Sequence, residues 1–260
     1  MKHNLWLFSV KFIVKSIFMQ KITLLIFILS LVLSHALHAQ KEVEKERPKV
    51  TGFVDFNGYY DTRDFSVLTY NILANMNRFQ YFSLTNYEST NGSFDLENTY
   101  AEHNIRWKLS KIAPLDLTMQ YVIRSGPDND DFRLGMRARL NSIPAISSFF
   151  KKMNMSYSIN PMFIQFRRNS KTKYMSIIEH VYRINIAPKS LNNRLYIGGF
   201  IDQNFNYLDG GGVAFKYVSE HQLGIRLINQ FYAVLEYRIN DFLPTENYGL
   251  GYGLEYKIVF

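Results

Sequence analysis

The sequence predicts an all-β protein, a single antiparallel up-and-down transmembrane β-barrel of about 12 strands. Three observations support this prediction. From Val50 to Phe260 apolar residues alternate with small or polar residues, which is the period of a strand with two different faces. The alternating segments run for ~10–15 residues, whereas a typical soluble strand has ~5–6. Aromatic residues cluster near the segment ends, as they do in the interfacial girdles of membrane barrels.

The composition limits the number of domains and the classes of protein to which the chain could belong. A chain of 260 residues suits one domain, or two at most. The absence of cysteine excludes a disulfide scaffold, a cysteine-based zinc site and an iron–sulfur cluster. A mean hydropathy of −0.15 argues against a bundle of membrane-spanning helices. The net charge is +8, but residues 1–39 hold four lysines and no acid, so half of this excess lies in the N-terminal segment.

The N-terminal segment has the pattern of a secretory signal peptide. The apolar run 22–33 follows Lys21 and precedes small residues up to Ala39. This run is too short to span a bilayer as a helix, which needs ~20 residues. We therefore predict a cleaved signal peptide over 1–39, with Met19 as an alternative start. Residues 40–49 form a charged linker, and 50–260 form the barrel.

The first six predicted strands differ in how clearly they alternate. The fourth alternates clearly, with Ile105 and Trp107 flanking Arg106. The second is the weakest, but without it the count of strands would be odd, and bacterial single-chain barrels have an even number. These strands are predicted over 50–60, 66–74, 78–90, 98–110, 115–126 and 130–142.

The last six predicted strands end in the most regular segment of the chain. From Tyr248 to Phe260 every second residue is apolar. The terminal Phe resembles the C-terminal signal that bacterial outer-membrane barrels present to their insertion machinery. We therefore expect the outer-membrane bilayer and the barrel-insertion machinery as partners. Pro161 cannot donate to a ladder and predicts a bulge. These strands are predicted over 152–166, 173–187, 192–206, 212–227, 230–240 and 248–260.

The charged faces of the strands predict the lining of a lumen. A soluble sandwich would turn the apolar faces inward, whereas a membrane barrel turns them to lipid. A charged side chain facing lipid costs ~2–4 kcal/mol at the bilayer midplane, which favours a charged interior. The predicted substrate path in this lumen consists of Arg106, Arg124, Arg133, Arg137, Arg139, Glu179, Arg183, Arg226, Glu236, Arg238, Tyr59 and Phe200.

Two functions are compatible with such a lumen. An arginine-rich wall would favour anions or polar solutes that offer hydrogen-bond acceptors, as in a passive channel. The alternative is an ion-paired, hydrated filling of a narrow barrel that conducts nothing and has a structural or binding role. The sequence leaves both functions open.

One N-terminal region has a more specific resemblance. The run 58–63 (GYYDTR), the alternating segment 66–74 and the aromatic-rich strand 78–87 resemble the opening of the nucleoside-specific outer-membrane channel (Tsx) family. The resemblance covers ~40 residues. It implies a twelve-stranded outer-membrane channel and makes nucleosides one expected class of solute.

Other functional classes find little support. A lipid-active barrel enzyme would need a Ser–His pair, and neither His103 nor His180 lies beside a matching serine motif. We therefore predict no enzyme activity, no catalytic residue, no cofactor and no metal ligand. Nucleic acid is not an expected partner, because the basic residues alternate with apolar ones and form no patch with a recognition helix.

Overall fold

The structure is a computed structural model. It describes residues 49–89, 95–110, 113–127, 129–167, 174–208, 210–243 and 246–260. The predicted signal peptide and residues 40–48 of the predicted linker lie outside the described residues.

Twelve strands form one closed antiparallel barrel. Each strand pairs with its neighbours in sequence, and β1 pairs with β12 to close the ring. This confirms the predicted fold class, including the weak second strand. The strands are β1 (Val50–Asp61), β2 (Phe65–Met76), β3 (Phe79–Glu88), β4 (Asn98–Lys108), β5 (Leu115–Arg124), β6 (Asp131–Arg139), β7 (Met155–Arg167), β8 (Tyr174–Ile186), β9 (Leu195–Tyr207), β10 (Val213–Ile228), β11 (Phe231–Asn240) and β12 (Tyr248–Val259).

The two faces of the barrel wall differ sharply in polarity. Tyr252, Leu254 and Trp107 are 53%, 56% and 42% exposed on the exterior. Asn104 and Asp116, on the opposite strand face, are fully buried. Residues directly across a ladder share a face, so the register extends this division around the ring. The apolar faces therefore point outward and the polar faces inward, which excludes the sandwich arrangement.

The connections divide between two ends of the barrel. The terminal end holds the start of β1 and the end of β12, together with the tight turns after β2 and β10. Asn77 and Asn229 begin these turns with φ of 54° and 47°, a left-handed conformation that asparagine adopts more readily than most residues. The distal end holds the connections that follow β1, β3, β5, β7, β9 and β11.

The connection between β6 and β7 differs from the prediction, because it contains a helix. A single 3₁₀ turn (Leu140–Ser142) leads into α1 (Pro144–Lys152). Pro144 suits the first helical position, where its missing N–H is not needed. Asn154 then leaves the helix with φ of 50°. Within the described part of the chain, no helix is long and apolar enough to cross a membrane.

Candidate functional site in the barrel lumen

The inward face of β4–β6 is rich in arginine, and we call it the arginine wall. Asp116 Oδ2 lies 2.7 Å from Arg137 Nε and 3.3 Å from Arg139 Nε. A second carboxylate, at the other end of this wall, also holds two guanidinium groups. The charged residues of the arginine wall are Glu102, Arg106, Lys108, Asp116, Arg124, Asp131, Arg133, Arg137 and Arg139.

The second carboxylate is that of Asp131. Its Oδ2 lies 2.8 Å from Arg124 Nη1 and 2.9 Å from Arg133 Nη2. Strand register places Asp116 directly opposite Arg137 on the neighbouring strand. Asp131 instead reaches Arg133 two residues along its own strand and Arg124 on β5. Four of the five arginines are thus ion-paired, two to each aspartate.

Arg106 lies between these two groups and has no carboxylate within ion-pair distance among the described residues. Its Nη1 lies 3.3 Å from Gln80 Oε1, and its guanidinium carbon lies 5.8 Å from the Phe82 ring centroid. Glu102, the third acid of this wall, accepts hydrogen bonds from Tyr100 and Gln120. Five guanidinium groups therefore face three carboxylates, so this wall keeps a positive surplus.

The opposite side of the lumen is built from tyrosine, glutamate and glycine, and we call it the tyrosine–glutamate wall. It comprises the inward faces of β9–β12 and β1. Tyr196 Oη donates to Glu255, and Gln222 Nε2 donates to Tyr59 Oη over 3.1 Å. Gly224 makes room for the Tyr196 ring, since a Cβ at this position would lie 2.2 Å from ring carbon Cε1.

Each of the two cations on β11 and β12 of this wall contacts two carboxylates. Arg238 pairs with Glu236 and lies 4.0 Å from Glu220 Oε1. Lys257 Nζ lies 3.3 Å from Asp55 Oδ2 and also contacts Glu255 Oε1 at 3.5 Å. Around these two cations the carboxylates are in excess, whereas on the arginine wall the guanidinium groups are in excess.

The middle of the lumen is polar and closely packed. Asn104 and Asn160 are fully buried, and neither polar atom of Asn104 has a hydrogen-bond partner among the described residues. The same holds for Asn160 Oδ1, Asp202 Oδ1 and Arg106 Nε. An unsatisfied buried polar group costs ~1–3 kcal/mol. Because of this cost, a lumen that water or a polar solute can enter is favoured, and a permanently dry lumen is disfavoured.

The terminal mouth holds a cavity of about 450 Å³. Arg183 and Lys151 line it together with Asn141 and Asn185, and none of its lining residues is acidic. The Arg183 guanidinium lies 3.7 Å from the ring centroid of Tyr196. Among the described residues Arg183 has no carboxylate partner, so its charge is available to the cavity.

The distal mouth holds a cavity of about 340 Å³ with a mixed lining. Arg63 and Arg238 share it with Glu88, Glu220 and Glu246. The two mouths therefore differ, because the terminal cavity is purely cationic among its charged groups and the distal cavity carries both signs.

All the predicted path residues fall on inward positions of the register. The arginine wall holds five of them, and Tyr59, Glu236 and Arg238 lie on the opposite side. Arg226 lies at the terminal rim, where its Nη2 donates to the Asn192 carbonyl over 2.5 Å. The remaining three are Glu179, Arg183 and Phe200, on β8 and β9.

The aspartates were missing from the predicted path. Asp55, Asp116, Asp131 and Asp202 all face the lumen. Their signal was present in the sequence, since each one follows the same two-residue alternation as the arginines. Including them changes the expected lining from a cationic wall to a largely ion-paired one.

The histidines point away from the lumen. Tyr81 Oη lies 2.9 Å from His103 Nδ1, and Tyr157 Oη lies 2.8 Å from His180 Nδ1. His221 is similarly placed, with Tyr182 Oη 2.7 Å from its Nδ1. Each described histidine is thus bound to a tyrosine on the exterior face.

Comparisons with known proteins find likeness in structure only. No family model matches the chain, and no curated protein matches it either. The NanC porin superimposes with a TM-score of 0.53 at 8% identity, covering 79% of this chain and all of that one. The KdgM porin gives 0.48 at 11% identity, covering 78% and 98% of the two chains. At such low identity, the likeness to the NanC porin shows that the two chains share the barrel fold.

Proposed function

We propose that this barrel spans the bacterial outer membrane and acts as a passive channel for small anionic or polar solutes. The observation that carries the proposal is the positive surplus of the arginine wall, which faces inward behind an apolar exterior. No bond is made or broken in such a function. The lumen selects solutes by size and charge.

The exterior supports the membrane location. Trp107, Leu117, Leu235 and Leu254 are all well exposed on the outer face. A strand of ~9–11 residues crosses a bilayer at a tilt, and the twelve strands have 9 to 16 residues. Export through a cleaved signal peptide over 1–39, and delivery to the insertion machinery by the C-terminal strand β12 with Phe260 after it, complete this proposal.

The charge of the lumen supports a preference for anions. A solute entering the terminal mouth meets Arg183 and Lys151 without a competing acid in the cavity lining. Farther in, Arg106 offers a guanidinium that lacks a carboxylate partner among the described residues. Arginine stays charged at all physiological pH values, so this preference would persist across pH.

The tight packing of the lumen favours small solutes, and its aromatic residues bear on nucleosides. A stacking platform needs an open ring face. Tyr59 is buried and its hydroxyl accepts from Gln222, while Tyr196 is covered by Arg183. We therefore place small carboxylated solutes ahead of neutral nucleosides as the transported class.

A non-conducting barrel is the second candidate, and the ion pairs favour it. Asp116 and Asp131 neutralise much of the arginine wall, and Asn104 and Asn160 are fully buried at mid-height. Single-channel recording of the refolded protein in a planar bilayer separates the two functions. Discrete conductance steps support the channel, and their absence supports the filled barrel.

Ion selectivity tests the anion preference. Arg106→Gln and Arg183→Gln each remove a charge without breaking an ion pair, so folding should be preserved. We expect the reversal potential in a salt gradient to shift toward cations for both variants. Arg194→Gln is the matched control, because among the described residues this rim arginine donates to the carbonyls of Arg226 and Leu227 and has no carboxylate partner. Unchanged selectivity in both lumen variants would reject the proposed path.

Solute competition tests the transported class. We expect gluconate to reduce the chloride current of the native channel more than an equal concentration of uridine does. In Arg183→Gln the gluconate effect should weaken. A stronger block by uridine would instead favour nucleosides, as the Tsx resemblance implies.

A further inference from the structure

The helix α1 exposes an apolar face to its surroundings. Phe149 is 58% exposed, and Ile146 and Met153 are exposed as well. These residues are spaced three and four positions apart, which places them on one side of a helix. A nine-residue helix with such a face needs a partner to cover it.

This face continues the apolar exterior of the barrel. Phe150 is buried and its ring stacks on Tyr157, with centroids 6.2 Å apart and planes inclined by 15°. Tyr157 lies on the exterior face of β7, where it contacts His180 of β8. The helix is thus fixed to the outer rim of the terminal end, at the edge of the exterior band.

Both charged residues of α1 are positive. Lys151 and Lys152 occupy its last turn. No terminal-end connection contains an aspartate or glutamate, whereas the distal connections contain several. The terminal-end connections are 77–78, 109–114, 140–154, 187–194 and 229–230.

We propose that α1 lies in the headgroup region of the membrane leaflet at the terminal end and binds anionic phospholipids there. Its apolar face enters the acyl boundary, and Lys152 contacts the lipid phosphates, whereas Lys151 lines the terminal cavity. Amphipathic helices with basic flanks bind membrane surfaces in this way. The inference rests on the membrane location proposed above, and it adds a specific lipid contact that channel function does not require.

Tryptophan fluorescence can report the position of the helix separately from that of the barrel. In the full chain with Trp6→Phe, Trp107 on the exterior of β4 reports barrel insertion. In the same chain with Trp107→Phe, the substitution Phe149→Trp reports the apolar face of α1. Ser148→Trp is the matched control, since Ser148 lies on the polar side of the same helix. The quencher is a lipid brominated near the headgroup end of its acyl chains.

We expect a blue-shifted emission and a loss of intensity in brominated vesicles for Phe149→Trp, and little change for Ser148→Trp. Equally weak quenching at the two positions, with Trp107 quenched, would show that α1 does not lie in the leaflet although the barrel is inserted. Absence of quenching at Trp107 would overturn the membrane location and this inference together.

The lipid charge provides the second arm of the test. Quenching in the Phe149→Trp chain should be stronger in phosphatidylcholine vesicles that contain phosphatidylglycerol than in pure phosphatidylcholine. Adding Lys152→Gln should remove this difference. A difference that survives the loss of Lys152 would overturn its assigned contact with anionic headgroups.

Discussion

The arginine wall and the tyrosine–glutamate wall face each other across the lumen and bury charge in opposite ways. They are centred on β5 and β11, which lie six strands apart in a ring of twelve. On the first wall, each of two aspartates holds two arginines. On the second, Arg238 and Lys257 each contact two carboxylates.

This reversal leaves a transverse field across the lumen. Ion pairing places most of these buried charges near an opposite one, as burial in a low-dielectric interior favours, whereas the buried Arg106 has no carboxylate partner among the described residues. The surplus is nevertheless positive on one side and negative on the other. In the proposed channel, an anion would move along the arginine wall and a cation along the opposite wall, so the balance between the two walls would decide the ion selectivity.

The two walls also differ in how they make space for their side chains. On β12 the inward positions Gly249 and Gly251 carry no side chain; Arg63 and Asp61 occupy the space at Gly249, and Tyr59 lies beside Gly251. On β4–β6, long arginines fill the space and aspartates fix their positions. The first wall should therefore be sensitive to changes in charge and the second to changes in volume.

The largest expected effect is that of Asp116→Asn on the arginine wall. The substitution keeps the shape of the side chain but leaves Arg137 and Arg139 without their carboxylate. Breaking a buried ion pair by removing one partner costs ~3–5 kcal/mol. The free energy of unfolding, measured by urea titration in lipid vesicles, should fall by an amount in this range.

Its control is Glu97→Gln at the distal end. Glu97 is exposed, so losing its charge should change stability little. Similar losses for the two variants would mean that Asp116 does not organise the arginine wall.

Gly224→Ala should have the next largest effect, on the tyrosine–glutamate wall. The added Cβ would lie 2.2 Å from Tyr196 and would displace the ring. Overpacking of this kind costs ~1–3 kcal/mol, and the same unfolding titration measures it. Gly58→Ala is the matched control, because its Cβ would meet no atom within 4 Å on the exterior of β1. A native-like Gly224→Ala barrel would contradict the claim that volume limits this wall.

Most of the fold could be predicted because it depends on local alternation. A period of two residues fixes which face points inward, and the weak strand β2 was found from the need for an even strand count. The helix α1 was not predicted, since the segments on both sides of it were extended as strands to 142 and from 152. Its signals are short, namely Pro144 at the start and Asn154 after the end.

The site was predictable only in part, for a related reason. Alternation identifies Arg137 and Tyr196 as lumen residues, but it does not identify their partners. The Arg137–Asp116 pair spans 21 residues, and the Tyr196–Glu255 hydrogen bond spans 59. Such pairs depend on register and on which strands lie close in the closed ring. The surplus of charge on each wall follows from these pairs, so it became visible only in the structure.

The smallest expected effect is that of Tyr196→Phe, which keeps the ring and removes one hydrogen bond. A single hydrogen bond contributes ~0.5–1.5 kcal/mol, or ~1.5–3 kcal/mol when one partner is charged. Glu255 keeps its contacts with Gln222 and Lys257, each at 3.5 Å, so a loss of about 1 kcal/mol is expected. Tyr232→Phe is the matched control, because its ring packs edge-on against Tyr196 at 5.9 Å while its hydroxyl has no hydrogen-bond partner among the described residues. If the two variants unfold at the same urea concentration, the Tyr196–Glu255 hydrogen bond does not stabilise this wall. The contribution of Tyr196 to stability would then come from the packing of its ring on Gly224.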